Sequence, residues 1–299
     1  MFGLKPVRGV WALALLTGLS VSVGASDDSP LLWNSAPDRA SCNDPDSALW
    51  VESASGESCI RYFSGEALDH APVVIVMFHG DRDKEMRQAP EVIAGNTVAA
   101  KDKQAATLSR RAHVPVVIVA RPGTYGSSGN HLHRRQASEF QPLDAALDAL
   151  RARYSIGRFV LLGHSGGATA VAALLTLGRE DVQCAVMTSG AFDLLKRAQM
   201  VRQRRGLPPR EGRDTNGLLN PYDPLEHVDG IAKIPGQALF VIGNPEDQIT
   251  SFALQQNFFQ ALQAAGLPAQ LIEAPAVSPT FHHLRNDIGL KTAARCARP

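Results

Sequence analysis

Apolar residues in this chain gather in short unbroken runs instead of alternating with polar ones. Residues 72–78, Pro-Val-Val-Ile-Val-Met-Phe, are the clearest case, rich in β-branched side chains as a strand buried on both faces requires. Comparable runs occupy residues 115–120, 159–162, 185–188, 238–242 and 270–274. Between them the period changes: Leu143, Ala146, Leu147 and Leu150 recur at helical spacing behind Pro142, a residue suited to a first turn. Residues 97–112, 168–177, 252–265 and 283–296 carry further helical patterns, and residues 48–53 and 59–63 flank a Ser-Gly-Glu turn as a hairpin would. Strand and helix in alternation predict an α/β fold, a mostly parallel central sheet flanked by helices. Residues 191–234 break the rhythm with Pro208, Pro209, Gly212, Gly217 and Pro221, and read as a small lid or cap insertion.

Composition narrows the setting. A chain of 299 residues with 44% hydrophobic and 20% charged residues is ordinary for a globular protein. Its 30 basic and 29 acidic residues give no reason to expect a nucleic-acid partner. The cluster Arg202-Gln203-Arg204-Arg205 reads as a solvated helix face. At the N-terminus, Lys5 and Arg8 precede an apolar stretch at residues 10–21 and the small residues Val23-Gly24-Ala25. That is the layout of a signal peptide over residues 1–25, cleaved after Ala25 and too short for a membrane anchor. Residues 26–299 then form a single domain, exported to a periplasm or to the medium. Cys42, Cys59, Cys184 and Cys296 all lie in the mature chain, and an even number in an oxidising compartment suggests two disulfides. Of the three connectivities, Cys42–Cys59 with Cys184–Cys296 is favoured: the first would brace the N-terminal region and the second would tie the last helix to a strand. No pair has the close spacing of a structural zinc site.

The chemistry centres on residues 159–175, FVLLGHSGGATAVAALL, where an apolar strand runs into Gly163-His164-Ser165-Gly166-Gly167 and a helix leaves it. A Gly-x-Ser-x-Gly turn between strand and helix lifts the serine hydroxyl above a sheet. A serine hydroxyl is a weak nucleophile and needs a base, and the base needs an orienting acid. Downstream, the run ending at Gly243 opens into a turn carrying Glu246 and Asp247; Asp247 is the expected acid, with Glu246 as its alternative. The loop after residues 270–274 delivers His282 and His283, of which His282 is preferred as base and His283 stays open. Two backbone amides must face the developing oxyanion. Gly166, after the serine, offers one, and Asp81 in the loop His79-Gly80-Asp81-Arg82 offers the other. His79 itself precedes the serine and reads as loop bracing.

With His79-Gly80, the Gly163–Gly167 elbow, Gly243-x-x-x-Asp247 and His282 in this order, the chain resembles the α/β-hydrolase superfamily over roughly residues 70–290. The segment 223–235, Asp-Pro-Leu-Glu-His-Val-Asp-Gly-Ile-Ala-Lys-Ile-Pro, is similar to the dienelactone-hydrolase and prolyl-oligopeptidase-like branch. The resemblance implies the α/β-hydrolase fold, a Ser–Asp–His triad and no cofactor.

Other features take plainer readings. The loop at residues 121–129 is glycine-rich without the Lys-Ser/Thr of a phosphate loop, and is expected either to line a pocket or to serve the fold alone. His131-x-His133 reads as a pair of exposed histidines and not as a metal site. The function expected is an exported serine hydrolase that cleaves small carboxylic esters through an acyl-enzyme. A peptidase acting on short peptides with the same residues, and a non-catalytic binding protein on a hydrolase scaffold, are the alternatives.

Overall fold

The unbroken apolar runs become the strands of one eight-stranded sheet in the computed structural model, which describes residues 1–3, 28–44 and 46–298. The signal-peptide reading falls on residues 1–25, which from residue 4 onward lie outside the described residues. The strands are β1 Ala48–Ser53, β2 Gly56–Ser64, β3 Val73–Phe78, β4 Val116–Val119, β5 Arg158–His164, β6 Val182–Thr188, β7 Ala238–Gly243 and β8 Ala269–Glu273. Their order across the sheet is β1-β2-β4-β3-β5-β6-β7-β8. The hairpin β1–β2 is antiparallel and β2 pairs antiparallel with β4, while β3 to β8 run parallel.

Among the described residues there are six α-helices, α1 Val98–Ala112, α2 Ala137–Tyr154, α3 Gly166–Thr176, α4 Leu194–Arg204, α5 Phe252–Ala264 and α6 Ile288–Cys296, and all but α4 pack on the two faces of the sheet. In β3, Val74, Val76 and Phe78 join the core that holds Leu147 of α2, Leu174 of α3 and Phe258 of α5. Val73 and Ile75 face the opposite core, with Ala112 of α1 and Ala293 of α6. Because both faces are covered, neither half of the side chains can be polar, and the sequence shows runs where a one-sided sheet would show alternation.

Two helix boundaries differ from expectation. α2 starts at Ala137, so Pro142 lies inside it and not in its first turn. Glu139 explains the early start: its carboxylate reaches back to the Arg135 N–H at 2.5 Å and satisfies an amide ahead of the helix. α6 starts at Ile288, five residues later than its pattern suggested. The backbone of residues 283–285 is already committed across the loop, Val277 N–H donating to His283 O at 2.9 Å and Arg285 N–H to Pro275 O at 2.8 Å. Asn286 and Asp287 then take left-handed conformations (φ 60° and 51°) that a helix cannot continue through.

Residues 191–234 hold α4, a 3-10 segment Pro224–Gly230 and an isolated bridge between Arg213 and Leu219. One buried carboxylate ties the segment together: Asp223 accepts from Leu225 N–H at 3.1 Å and also from Leu194 N–H at the start of α4. Disulfides join Cys42 to Cys59 and Cys184 to Cys296, the favoured pairing. Among the described residues no helix is long and apolar enough to cross a membrane.

Candidate active site

Ser165 sits in the one-residue gap between β5 and α3 with φ 56° and ψ −120°, a conformation costly for any residue with a side chain. Its surroundings hold it there. Ser165 N–H donates to Thr188 O at 2.9 Å, and its carbonyl accepts from Ala168 N–H at 3.0 Å and from Thr169 N–H at 3.3 Å. Both glycines of the motif are demanded by close approach. A Cβ at Gly163 would stand 2.2 Å from Gly167 O, and a Cβ at Gly167 would stand 2.2 Å from Phe78 O. The turn is therefore pressed against the end of β3. Among the described residues the Ser165 hydroxyl makes no hydrogen bond.

The loop after β7 carries Asp247, whose side chain is wholly buried. Its Oδ1 accepts from Ile249 N–H at 2.8 Å and Thr250 N–H at 3.0 Å, and its Oδ2 lies 2.9 Å from His282 Nδ1. Burial works to raise its pKa, but the His282 hydrogen bond and charge and the two amides outweigh it and hold the carboxyl below its usual value. Glu246, the alternative acid, points into solvent. His282 is buried, and Ser189 Oγ donates to its carbonyl at 2.8 Å. With Nδ1 taken by Asp247, its Nε2 is the ring nitrogen left for chemistry. His283 is exposed and makes no hydrogen bond to Asp247; its ring packs 5.2 Å from that of His164.

Four residues not singled out from the sequence complete this corner. Thr250 Oγ1 lies 2.9 Å from both Asp247 Oδ2 and Ser189 O, so its one proton bridges the two. Thr188 donates to Gly163 O at 2.9 Å, fixing the strand that leads into the elbow. His164 sets its ring 4.8 Å from that of His282 at a tilt of 48°; burial and the neighbouring histidine charges push its pKa down to about 3, and it stays neutral. The one sequence signal available was Asp247-x-x-Thr250, a spacing at which a side chain can turn back on its own loop.

On the other side of Ser165, the loop after β3 brings Gly80 so close that a Cβ there would stand 3.2 Å from Ser165 Cβ. Among the described residues, the N–H groups of Asp81 and Gly166 donate to no protein acceptor. The Asp81 carboxylate packs on Gly166 and would oppose a developing negative charge were it not itself neutralised. Arg121 Nη1 stands 3.0 Å from Oδ1, Arg134 Nε stands 3.2 Å from Oδ2, and Arg135 also contacts Oδ2. Burial works to raise the Asp81 pKa, yet these guanidinium charges hold it well below the carboxylate range. Arg121 is itself wholly buried and pairs with Glu139 at 2.6 Å. His79 braces this loop, donating from Nδ1 to Gly80 O at 2.7 Å and lying 3.0 Å from Thr124 Oγ1 through Nε2.

The pair at residues 131 and 133 departs from expectation. His133 is exposed, but His131 is 1% exposed, packed under the loop with Nδ1 3.3 Å from Pro122 O. The 121–129 loop is pinned to the sheet edge, Cys59 N–H donating to Ser128 Oγ and Arg61 N–H to Ser127 Oγ, each at 2.9 Å. Among the described residues no group of three His, Cys, Asp or Glu side chains is placed to hold a metal ion.

A cavity of about 460 Å³ lies against α6 at Ile288 and Arg295, away from every candidate catalytic residue, and two others border the site. One of about 380 Å³ opens between Asp81 and Gln248, and one of about 220 Å³ is apolar and bordered by His164, Thr188 and His283.

No protein-family model matches the sequence, and no curated protein matches it. In three dimensions the chain is similar to the acylaminoacyl peptidase of Pyrococcus horikoshii, with 14% identity and a TM-score of 0.51 over 84% of this chain and 39% of that one. It is similar to a puromycin-hydrolyzing peptidase of Mycobacterium tuberculosis, with 16% identity and a TM-score of 0.53 over 83% of this chain and 38% of the other. It is also similar to the Pyrococcus furiosus esterase Pf2001, with 14% identity and a TM-score of 0.50 over 83% of this chain and 91% of the esterase. The chain thus spans about two fifths of the length of each peptidase.

Proposed function

On the α/β-hydrolase fold that this chain has, we propose an exported serine hydrolase that cleaves carboxylic esters by acyl transfer. The observation that carries the reading is the Asp247–His282 hydrogen bond of 2.9 Å, formed beside a strained serine turn between two unpartnered backbone amides.

Ser165 Oγ attacks the ester carbonyl carbon and gives its proton to His282 Nε2. Asp247, ionised and bound to Nδ1, fixes the imidazole tautomer and stabilises the imidazolium. The carbonyl oxygen takes up the electron pair and is held by the Gly166 and Asp81 amides. Collapse expels the alkoxide, which leaves as the alcohol with the proton from His282. Water then attacks the acyl-enzyme, passing one proton to His282, and the acid departs as Ser165 recovers its proton. Residues 191–234 act as the lid or cap over this site, and the disulfides suit an oxidising compartment outside the cytosol.

A fluorophosphonate tests the reading. Mass spectrometry with peptide mapping is expected to find one adduct on Ser165, absent in Ser165→Ala, and p-nitrophenyl esters are expected to be better substrates than aminoacyl anilides. No adduct on the folded chain, with an active serine hydrolase labelled alongside, would favour a binding protein. A preference for the anilides would favour a peptidase.

A further inference from the structure

Between the Asp81 loop and the Asp247 loop lies a cavity of about 380 Å³ whose walls are strongly basic. Arg134 and Arg135, from the loop ahead of α2, form one side. Arg197, Val201 and Arg204 face them from α4, at the i, i+4, i+7 spacing that puts three side chains on one helix face, with Arg205 just beyond. Asp81 and Asp83 are the carboxylates in the lining. Both are already engaged, Asp81 with Arg121, Arg134 and Arg135, and Asp83 with Arg134 at 2.7 Å. Among the described residues, Arg197, Arg204 and Arg205 have no carboxylate partner.

A charge excess of this kind is costly without an anion. Arg135 is only 2% exposed, yet its Nε and Nη1 have no hydrogen-bond partner. Unpaired buried donors on a cation carry a desolvation penalty, which an anion in the cavity would offset through its charge and not through a bond to those two nitrogens, which solvent does not reach. Arg197 likewise leaves Nε unpartnered; its terminal nitrogens reach Thr215 Oγ1 at 3.0 Å and Ile249 O at 3.4 Å. Burial and the Arg135 charge hold its guanidinium below its usual pKa, as expected of cations crowded into one space. The cavity adjoins the chemistry from both sides. Asp81 follows Gly80, which packs against Ser165, and Gln248 and Ile249 directly follow Asp247.

Taking the serine-hydrolase reading as its basis, we propose that this cavity is an acid-recognition subsite and that the substrate is an ester bearing a second, anionic group. A carboxylate or phosphate a few bonds from the ester fits the planar, forked donors of the arginines, which favour such oxygens over a point cation's looser hold. The excess charge also steers anionic substrates toward the site and rejects those with a basic group in that position.

The test reads binding and not turnover. Ser165→Ala protein is titrated calorimetrically with monomethyl glutarate, with its neutral isostere dimethyl glutarate, and with inorganic phosphate. At least one anion is expected to bind roughly tenfold or more tightly than the diester, a preference lost in a Ser165→Ala/Arg197→Gln/Arg204→Gln protein. Monomethyl glutarate as the tight ligand would mark a carboxylate-bearing substrate, and phosphate a phosphate-bearing one. Diester binding equal to that of both anions would overturn the inference, as would a preference that survives the arginine substitutions. Should those substitutions prevent folding, the monoester–diester comparison in Ser165→Ala alone still decides. Because no step depends on an active serine, failure here is distinct from failure of the fluorophosphonate to label Ser165.

Discussion

Asp247 Oδ2 meets His282 Nδ1 at 2.9 Å, while the adjacent Glu246 faces solvent. Asp247→Asn preserves the shape of that contact but presents the ring with the wrong partner for the tautomer Ser165 needs. The expected result is a fall in kcat/KM of about 10³- to 10⁴-fold on a neutral ester, measured below the melting range of the variant. Glu246→Gln is expected to leave kcat/KM as it was. Equal effects of the two substitutions would put the acid elsewhere.

Thr250 has a smaller role that acts through Asp247. Its hydroxyl lies 2.9 Å from both Asp247 Oδ2 and Ser189 O, so Thr250→Val leaves two acceptors short of one proton. A stability loss of about 1–3 kcal/mol follows from the unsatisfied groups. The kinetic loss, about tenfold, should fall on kcat and not on KM, because Thr250 orients the dyad without touching substrate. A loss confined to KM would show that it contacts the substrate instead.

How much of this was legible depended on whether the signal was local. The strands were, because burial on both faces leaves runs such as residues 72–78 with no competing reading. The serine turn was legible for a local reason too: Gly163 and Gly167 are forced by contacts within a few residues of chain and with β3. Neither the basic cavity nor the burial of His131 could be read, since both depend on residues far apart in sequence. Arg204 is solvated, as its cluster suggested, yet it faces Arg134 and Arg135 across a cavity that only the fold creates. The start of α2 was misplaced because a buried Glu139 stabilises an earlier turn more strongly than Pro142 marks a later one.

Gly167 tests the packing of the elbow against β3. A methyl group there would stand 2.2 Å from Phe78 O and 2.6 Å from His79 O, both backbone atoms that cannot swing aside. Gly167→Ala is expected to cost about 3 kcal/mol or more of unfolding free energy and to reduce soluble yield. A melting temperature equal to the parent's would mean that the Ser165 turn can move away from β3.

The two disulfides should contribute unequally. Cys42–Cys59 closes a loop of 17 residues, and Cys184–Cys296 closes one of 112 while joining β6 to α6. On chain entropy alone the longer closure is worth about 1–2 kcal/mol more. Denaturant titrations of Cys42→Ala/Cys59→Ala and Cys184→Ala/Cys296→Ala proteins should rank the second as the less stable. The reverse order would point to the short loop ahead of β1 as the part that limits unfolding.

Asp102 gives stability a pH dependence of definite sign. It is half-buried on α1, where its Oδ1 accepts from Ser64 N–H at 3.1 Å and where Asp44 adds a like charge. Burial is the larger cause and Asp44 adds to it, so its pKa rises from 3.8 to about 6 against the opposing pull of the Ser64 amide and Arg61. A folded pKa above the unfolded value means that the fold favours the protonated acid. The stabilisation is therefore complete below pH 4 and disappears as pH rises through 6. Asp102→Asn keeps an oxygen for Ser64 and never ionises. Thermal melts should show the variant more stable than the parent at pH 8, with the difference closing at pH 4. A shift of the same size at both pH values would mean that the substitution acts through packing and that Asp102 ionises freely in the folded chain.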